Sequence, residues 1–145
     1  MRIAIGADHA AYELKRTLRD ALRAEGHEVT DFGVDGPERM DYPDVAAPLA
    51  RAVLGGAHEL GILICGTGIG MSIAANKVRG VRAALCGDCY SARMAREHND
   101  AQIVCLGARV IGSDLALEVV HTFLAAQFVG GHHSRRLEKL AALEG

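Results

Sequence analysis

The sequence predicts an α/β fold in which a five-stranded parallel sheet lies between two layers of helices. Short apolar runs typical of strands alternate with segments of helical period along almost the whole chain. The strand segments are apolar on both faces, which is typical of a parallel sheet covered by helices on each side. The length of 145 residues suits one domain with a full core, and no linker or repeat interrupts it, so residues 1–145 are expected to form a single domain.

Five segments are predicted as strands: residues 2–7, 27–33, 59–65, 81–86 and 101–107. Right-handed crossovers place every strand-to-helix loop of a parallel sheet at one edge, and ligands bind there, outside the carboxyl ends of the strands. This rule selects four loops as candidate ligand sites: Gly6 to His9, Cys65 to Gly70, Cys86 to Ser91 and Gly107 to Arg109.

Helices are predicted over residues 10–26, over 43–56, from near Gly70, from near Ser91, over 114–128 and over 134–144. In the first, Leu14, Leu18 and Leu22 recur four apart on one face. The last follows a break at two glycines and is amphipathic, with Leu137 and Leu140. A terminal helix on a flexible hinge often packs on a partner chain, so we expect at least a dimer.

Composition excludes several classes of function. The net charge is -2 with mixed signs along the chain, which argues against a nucleic-acid surface. The first residues are too polar for a signal peptide, and no apolar run reaches the length of a membrane span. We therefore expect a cytoplasmic protein that binds neither nucleic acid nor membrane.

The four cysteines are expected to be reduced thiols, because no secretory signal precedes them. Cys86 and Cys89 have the spacing of a redox or zinc half-site. A zinc site needs about four ligands, and no second pair with local spacing appears. We expect no metal, and a thiol oxidoreductase remains a minor alternative.

The CGTGIG stretch, Cys65 to Gly70, follows an apolar strand and precedes a helix. Its glycines let backbone amides approach a ligand, and the helix adds its positive end, so an oxyanion would be held there. The alternative is a tight turn that binds nothing. The first strand-to-helix turn lacks a dinucleotide fingerprint, and Lys77 lies too far into the helix for a P-loop. NAD and ATP are thus disfavoured, and no cofactor is expected.

Cys65 stands at the start of this loop, where amides and a helix N-terminus would favour its thiolate form. It could then accept a proton from carbon or attack an electrophile. The alternative is a buried cysteine that acts as a small apolar side chain, which is the interpretation we give to Cys105.

Two histidines are candidate acids, bases or phosphate ligands: His9, after Asp8 in the first loop, and His98, in the segment His98-Asn99-Asp100. The other isolated histidines, at strand starts or on helices, are interpreted as structural: His27, His58 and His121. Cations that could hold a phosphate are Arg109 and the cluster His132, His133, Arg135 and Arg136, although arginines on a terminal helix usually face water.

Five stretches in order resemble the type B ribose-5-phosphate isomerases, in the family that also holds galactose-6-phosphate isomerase subunits: GADHAAYELK, DYPDVA, GILICGTGIGMSIAANKVRGVRAALC, YSARMAREHNDAQIVCLGARVIG and FVGGHHSRRLE. The resemblance covers essentially the whole chain. It implies a Rossmann-like three-layer α/β/α sandwich, dimeric or tetrameric, whose C-terminal helix reaches a partner subunit and whose active sites are shared across the interface. The implied reaction interconverts ribose 5-phosphate and ribulose 5-phosphate without metal or organic cofactor.

The resemblance also implies roles in the chemistry. Cys65 matches the base that moves a proton between C2 and C1. Some members use a glutamate at the position of Met71, which cannot ionise, so Cys65 keeps the role. His98 matches the acid that opens the furanose ring, and Asp8 assists from the sugar hydroxyls.

The remaining matches are substrate ligands. The loop from Gly66 through Thr67, Gly68 and Ile69 to Gly70 would surround the enediolate oxygens, with Thr67 also counted as catalytic. Asn99 would bind a sugar hydroxyl. Matches to the phosphate and to the rest of the substrate are His9, Tyr42, Arg109, His132 and Arg136.

One departure opens alternatives. Family members commonly carry arginine where this chain has His132, and histidine is a weaker, pH-dependent phosphate partner, for which Arg135 could compensate. The substrate could therefore be allose 6-phosphate, another hexose phosphate or a free sugar. A further alternative is a noncatalytic subunit of a heteromeric galactose-6-phosphate isomerase.

Overall fold

The computed structural model describes residues 1–145 and confirms the predicted sheet. All pairings are parallel, in the order β2-β1-β3-β5-β4. The strands are β1 (Arg2–Ala7), β2 (Glu28–Asp31), β3 (Leu60–Cys65), β4 (Ala83–Leu85) and β5 (Ile103–Gly107). The central strand β3 is buried along its whole length, as its continuous apolar run predicts.

Helices cover both faces of the sheet, giving the three-layer α/β/α arrangement. They are α1 (Tyr12–Ala24), α2 (Pro43–Leu54), α3 (Ile69–Asn76), α4 (Cys89–Glu97), α5 (Ser113–Ala125) and α6 (His132–Ala142), with a 3-10 turn over His9–Ala11. One core cluster joins the sheet to α1, α4 and α5, and a second joins it to α2 and α3. None of these helices is both long and apolar enough to cross a membrane.

Most element boundaries differ from the predicted ones by one to three residues, and two of these differences have clear local reasons. Helix α4 begins at Cys89, ahead of Ser91, because the Asp88 carboxylate accepts the N–H of Ser91 at 2.7 Å and caps the helix. Helix α6 begins at His132 instead of residue 134, since Gly130 and Gly131 both adopt positive φ and turn the chain immediately before it.

Because each helix returns the chain to the start of the next strand, residues that follow a helix lie at the opposite edge from residues that follow a strand. We call the edge where residues follow a helix the amino edge of the sheet, and the edge where residues follow a strand the carboxyl edge. In register, Gly61 pairs with Ile103 near the amino edge and Cys65 pairs with Gly107 at the carboxyl edge. At a rise of about 3.3 Å per residue, the two edges are roughly 13 Å apart.

Helix α6 lies against its own chain at both ends. Just before it, the N–H of Val129 donates to the carbonyl of Glu97 at 3.0 Å. Just after it, Arg79 donates to the carbonyl of Glu144 at 2.9 Å. No residue of α6 is buried, so its predicted contact with a partner subunit stays a prediction.

A buried ion pair anchors the first crossover. The Lys15 side chain is fully buried, and its Nζ donates to Asp31 Oδ1 at 2.9 Å and to the carbonyl of Val34. Asp31 also accepts from Arg19 at 2.8 Å and from the N–H of Gly33 at 2.8 Å. Burial alone would raise the pKa of the Asp31 carboxyl, but these hydrogen bonds hold it below its usual value.

We predict that Lys15→Ala lowers the free energy of unfolding by about 3 kcal/mol or more, because it leaves a buried carboxylate without its main partner. The matched control is Arg19→Ala, which contacts the same carboxylate from a side chain that is 21% exposed and should cost less than about 1 kcal/mol. Denaturant unfolding at fixed protein concentration measures both. Equal losses of stability in the two variants would contradict the assignment of Lys15 as the main partner of Asp31.

The same ion pair predicts that the free energy of unfolding falls at acid pH. Because the folded-state pKa of Asp31 is lowered, its contribution to stability is complete above the unfolded value of about 3.9 and is lost as the pH falls through the lower folded value. In Lys15→Ala, the fall in the free energy of unfolding over this acid range should be smaller than in the wild type.

Candidate functional site

The CGTGIG loop lies at the carboxyl edge, at the end of buried β3. Gly68 adopts a left-handed conformation with φ of 82°, and this turn brings its N–H to 3.1 Å from the Cys65 sulfur. A Cβ on Gly68 would lie 2.5 Å from Leu85 Cδ1 and 2.9 Å from the backbone of Leu106. Only glycine therefore fits, and the loop directs an amide at the cysteine sulfur.

Backbone hydrogen bonds tie this loop to its two neighbours. The N–H of Asp8 donates to the carbonyl of Ile64 at 3.2 Å, and the N–H of Ala108 donates to the carbonyl of Cys65 at 2.9 Å. The N–H of Arg109 donates to the carbonyl of Gly66 at 2.9 Å. The Asp8, Cys65 and Arg109 segments are thus held side by side by the sheet and not by side-chain contacts alone.

Asp8 and His9 are oriented by further backbone contacts. The largely buried Asp8 carboxylate accepts the N–H of Ala10 at 3.0 Å through one oxygen, which leaves the other for a ligand. His9 Nδ1 lies 3.2 Å from the backbone nitrogen of Met40 and 3.3 Å from its carbonyl oxygen. The Met40 backbone therefore holds this side of the ring in either tautomer, which leaves Nε2 for a ligand.

Two more predicted residues complete the carboxyl edge. The Tyr42 ring lies over Gly70, where a Cβ would come within 2.8 Å of the ring carbon Cζ. Thr67 Oγ1 accepts the N–H of Ile69 at 3.2 Å, so its hydroxyl proton is free to be donated. Glycine at position 70 therefore leaves space for the Tyr42 ring beside the loop.

His98 and Asn99 lie elsewhere. The sequence offers His98 as a candidate acid or base together with His9, but His98 caps the end of α4 and precedes β5, which places it at the amino edge. A single chain therefore does not bring His98 together with Cys65. Topology is the reason, since α4 carries the chain across the full height of the sheet.

The cations after the glycine hinge join His98 at the amino edge. The His98 ring stacks on His133 with centroids 4.1 Å apart and an interplanar angle of 14°, and His132 lies 4.1 Å from His133 at 38°. Burial, then His132, His98 and Arg136, lower the pKa of His133. No carboxylate is among the groups that act on His133, and Arg136 supplies the fixed positive charge, so the cluster is suited to an anion.

Two of the other cysteines, Cys86 and Cys105, are poorly suited to redox chemistry. Burial and then the charge of Asp88 raise the pKa of Cys86 to about 11, and burial raises that of Cys105 further. Both therefore favour the inert thiol over the reactive thiolate. No three His, Cys, Asp or Glu side chains are grouped so that they could hold a metal ion.

The predicted residues thus fall into two groups. Those at the carboxyl edge are Asp8, His9, Tyr42, Cys65, Gly66, Thr67, Gly68, Ile69, Gly70 and Arg109, and those at the amino edge are His98, Asn99, His132 and Arg136. One functional contact was missed, the backbone N–H of Met40 that fixes His9 from 31 positions away. A backbone donor leaves no signal in the sequence.

The chain is similar to known proteins along almost its whole length. The family model described as Ribose/Galactose Isomerase matches residues 3–140. A D-erythrulose-4-phosphate isomerase of Pectobacterium atrosepticum is 52% identical over 99% of this chain and 95% of its own. Ribose-5-phosphate isomerase B of Escherichia coli is 47% identical over 99% and 96% of the two chains.

A solved structure of a related protein is also similar to this chain. The ribose-5-phosphate isomerase B of Clostridium thermocellum superposes with a TM-score of 0.98 at 55% identity, over 99% of this chain and 97% of that one. The family model and these relatives together span nearly the whole chain. The chain therefore belongs to the ribose/galactose isomerase family.

Proposed function

We propose that the protein is an aldose–ketose isomerase that interconverts ribose 5-phosphate and ribulose 5-phosphate in a site completed by a second copy of the chain. The observation that carries the proposal is the Cys65 sulfur, 3.1 Å from the N–H of Gly68 in a loop tied to Asp8 and Arg109. A thiol beside a cradle of amides suits proton transfer next to a carbonyl. Family membership and the two relatives named for ribose 5-phosphate support the same reaction.

Cys65 is the proposed carbon base. Its thiolate removes the proton from C2 of the open-chain aldose, the C1 carbonyl becomes part of an enediolate, and the same proton returns to C1. The hydroxyl proton of O2 passes to O1, so the products balance without a redox partner. The amide N–H of Gly68 stabilises the thiolate before it takes the proton.

The loop from Gly66 to Gly70 would stabilise the negative charge that develops on O1 and O2. The N–H groups of Gly68 and Ile69 are already donated, to the Cys65 sulfur and to Thr67 Oγ1. The donors left for the substrate are the amides of Gly66, Thr67 and Gly70 and the hydroxyl proton of Thr67. Removing one such donor typically costs about 3 to 4 kcal/mol of transition-state stabilisation.

Ring opening is the proposed role of His98, acting from a second subunit. The imidazolium donates a proton to the furanose oxygen while Asp8 accepts the proton of the C1 hydroxyl, which breaks the C1–O bond and forms the aldehyde. Because His98 and Asp8 belong to opposite edges of one chain, the step requires the amino edge of one copy to meet the carboxyl edge of another.

The phosphate would be held between the same two edges. His9 offers its Nε2 side and Arg109 a guanidinium from one copy, while His132 and Arg136 contribute from the other. Histidine lacks the bidentate fork of arginine, so His132 should hold a phosphate more weakly than an arginine at this position.

Exposed apolar side chains beside the site support such an assembly. Ile69, Leu85 and Val110 are 50%, 46% and 66% exposed and flank the glycine loop, and Ile73 on α3 is 55% exposed. A group of apolar side chains on a monomer surface is typical of a subunit interface. A two-fold dimer that covers this face would form two equivalent sites.

We predict that the purified protein converts ribose 5-phosphate and that Cys65→Ala loses nearly all turnover while still binding the sugar phosphate. The control is Cys89→Ser, a thiol at the start of α4 outside the proposed site, which should keep its activity. Steady-state kinetics and calorimetric titration measure the two properties. More than a few per cent of wild-type turnover in Cys65→Ala would rule out this base, and an inactive wild type would favour a subunit that needs a different partner.

A second candidate substrate is a four-carbon sugar phosphate. The observation that favours it is the 52% identity to a D-erythrulose-4-phosphate isomerase. The C4 oxygen of erythrose 4-phosphate carries the phosphate and cannot close a furanose ring. An isomerase for that substrate would need Cys65 but no ring-opening acid.

We predict a higher kcat/KM for ribose 5-phosphate than for erythrose 4-phosphate, allose 6-phosphate or free ribose. His98→Asn should reduce the rate on ribose 5-phosphate by about a hundredfold or more, and the rate on open-chain erythrose 4-phosphate far less. Equal losses of rate on the two substrates would contradict the role of His98 in ring opening.

If the wild type prefers erythrose 4-phosphate, that sugar phosphate replaces ribose 5-phosphate as the proposed substrate. If free ribose reacts as efficiently as ribose 5-phosphate, the proposed phosphate site is wrong.

A further inference from the structure

The segment that carries His98 and Asn99 has an unusual backbone. Asp100, the next residue, is the only residue other than glycine with a positive φ, at 45°. This left-handed conformation normally ends a helix at glycine or asparagine, because a Cβ makes it unfavourable. An aspartate here requires compensation from its side chain.

Two arginines supply that compensation. Arg96, on the last turn of α4, donates to Asp100 Oδ1 at 3.0 Å, and Arg82, just before β4, lies 3.6 Å from Oδ2. The same two side chains also hold the backbone around Asp100. Arg82 donates to the carbonyls of Asn99 at 2.8 Å and Asp100 at 3.0 Å, and Arg96 donates to that of Ala101 at 2.8 Å.

This arrangement is itself anchored to the sheet. The N–H of Arg82 donates to the Gln102 side chain at 2.6 Å, and the Gln102 amide donates to the carbonyl of Gly80 at 3.1 Å. Gln102 directly precedes β5, and Arg82 directly precedes β4. The Asp100 turn is therefore fixed to the start of two neighbouring strands.

His98 and Asn99 depend on this turn for their direction. Neither the His98 imidazole nor the Asn99 amide makes a hydrogen bond within the chain, and the His98 ring stacks on His133. Apart from that stack, the direction of both side chains is set by the backbone, which Arg82 holds through the carbonyls of Asn99 and Asp100.

We infer that Asp100, braced by Arg82 and Arg96, is a positioning residue that aims His98 and Asn99 at the active site of a second subunit. The inference rests on the proposed function, because His98 acts there as the ring-opening acid. Asp100 itself touches no reacting atom. Its effect on the reaction would come entirely through the two residues that precede it.

Asp100→Gly separates positioning from folding. Glycine relieves the unfavourable backbone conformation while removing the carboxylate, so the melting temperature should stay within about 3 °C of the wild type. The rate on ribose 5-phosphate should nevertheless fall about tenfold to a hundredfold, because small displacements of a reacting group are costly. The loss on erythrose 4-phosphate, which needs no ring opening, should be smaller.

Two variants serve as controls. Asp100→Asn tolerates the left-handed conformation and can still accept from Arg96, so it should restore most of the lost activity. Asp88→Gly makes the same substitution at the other end of α4, where the carboxylate only caps the helix, and should leave kcat/KM within about twofold.

The NMR signals of the His98 ring provide a readout that does not need turnover. They should shift or broaden in Asp100→Gly and stay unchanged in Asp88→Gly. Full activity and unchanged ring signals in Asp100→Gly would overturn the inference, as would a loss of activity matched by a large fall in melting temperature. If the wild type fails to isomerise ribose 5-phosphate, the proposed function fails, and the ring signals alone decide the role of Asp100.

Discussion

The direction of the chain in a parallel sheet is the constraint on which the proposed site depends. Every strand must start at the same edge, so every helix must carry the chain back across the sheet. Residues after β1, β3 and β5 therefore meet at one edge, while His98 after α4 and His132 after α5 are delivered to the other. A chain that distributes its reactive groups in this way can bring them together only by pairing with another copy.

Within the carboxyl edge, the geometry is set mostly by the backbone. Gly68 adopts a left-handed conformation, and a Cβ there would lie 2.5 Å from Leu85, while a Cβ on Gly107 would lie 2.6 Å from the carbonyl oxygen of Thr67. The close approach of the loop to its neighbours therefore requires glycine at both positions. The Lys15–Asp31 pair has a comparable effect on the first crossover, because Lys15 also holds the carbonyl of Val34 beside Ala7, directly before Asp8.

Much of the fold followed from sequence pattern. The leucines at 14, 18 and 22 mark the buried face of α1, and the apolar run before Cys65 marks the central strand. The glycines of the loop predicted its tight turn. The sequence pattern could not predict contacts between residues that are far apart in the chain. The stack of His98 on His133 and the Met40 contact to His9 are of this kind, and the turn at Asp100 depends on a backbone angle. Such contacts are decided by packing, which no local spacing records.

The most direct measurement is a subunit-mixing experiment with two inactive variants, Cys65→Ala and His98→Asn, refolded together. If each site takes Cys65 from one copy and His98 from the other, hybrid dimers hold one intact site, and an equal mixture should recover about a quarter of wild-type turnover of ribose 5-phosphate. A mixture of Cys65→Ala with Asp8→Ala, whose changes lie at the same edge, should recover none. No recovery in the first mixture, or equal recovery in both, would contradict a site shared between the two edges.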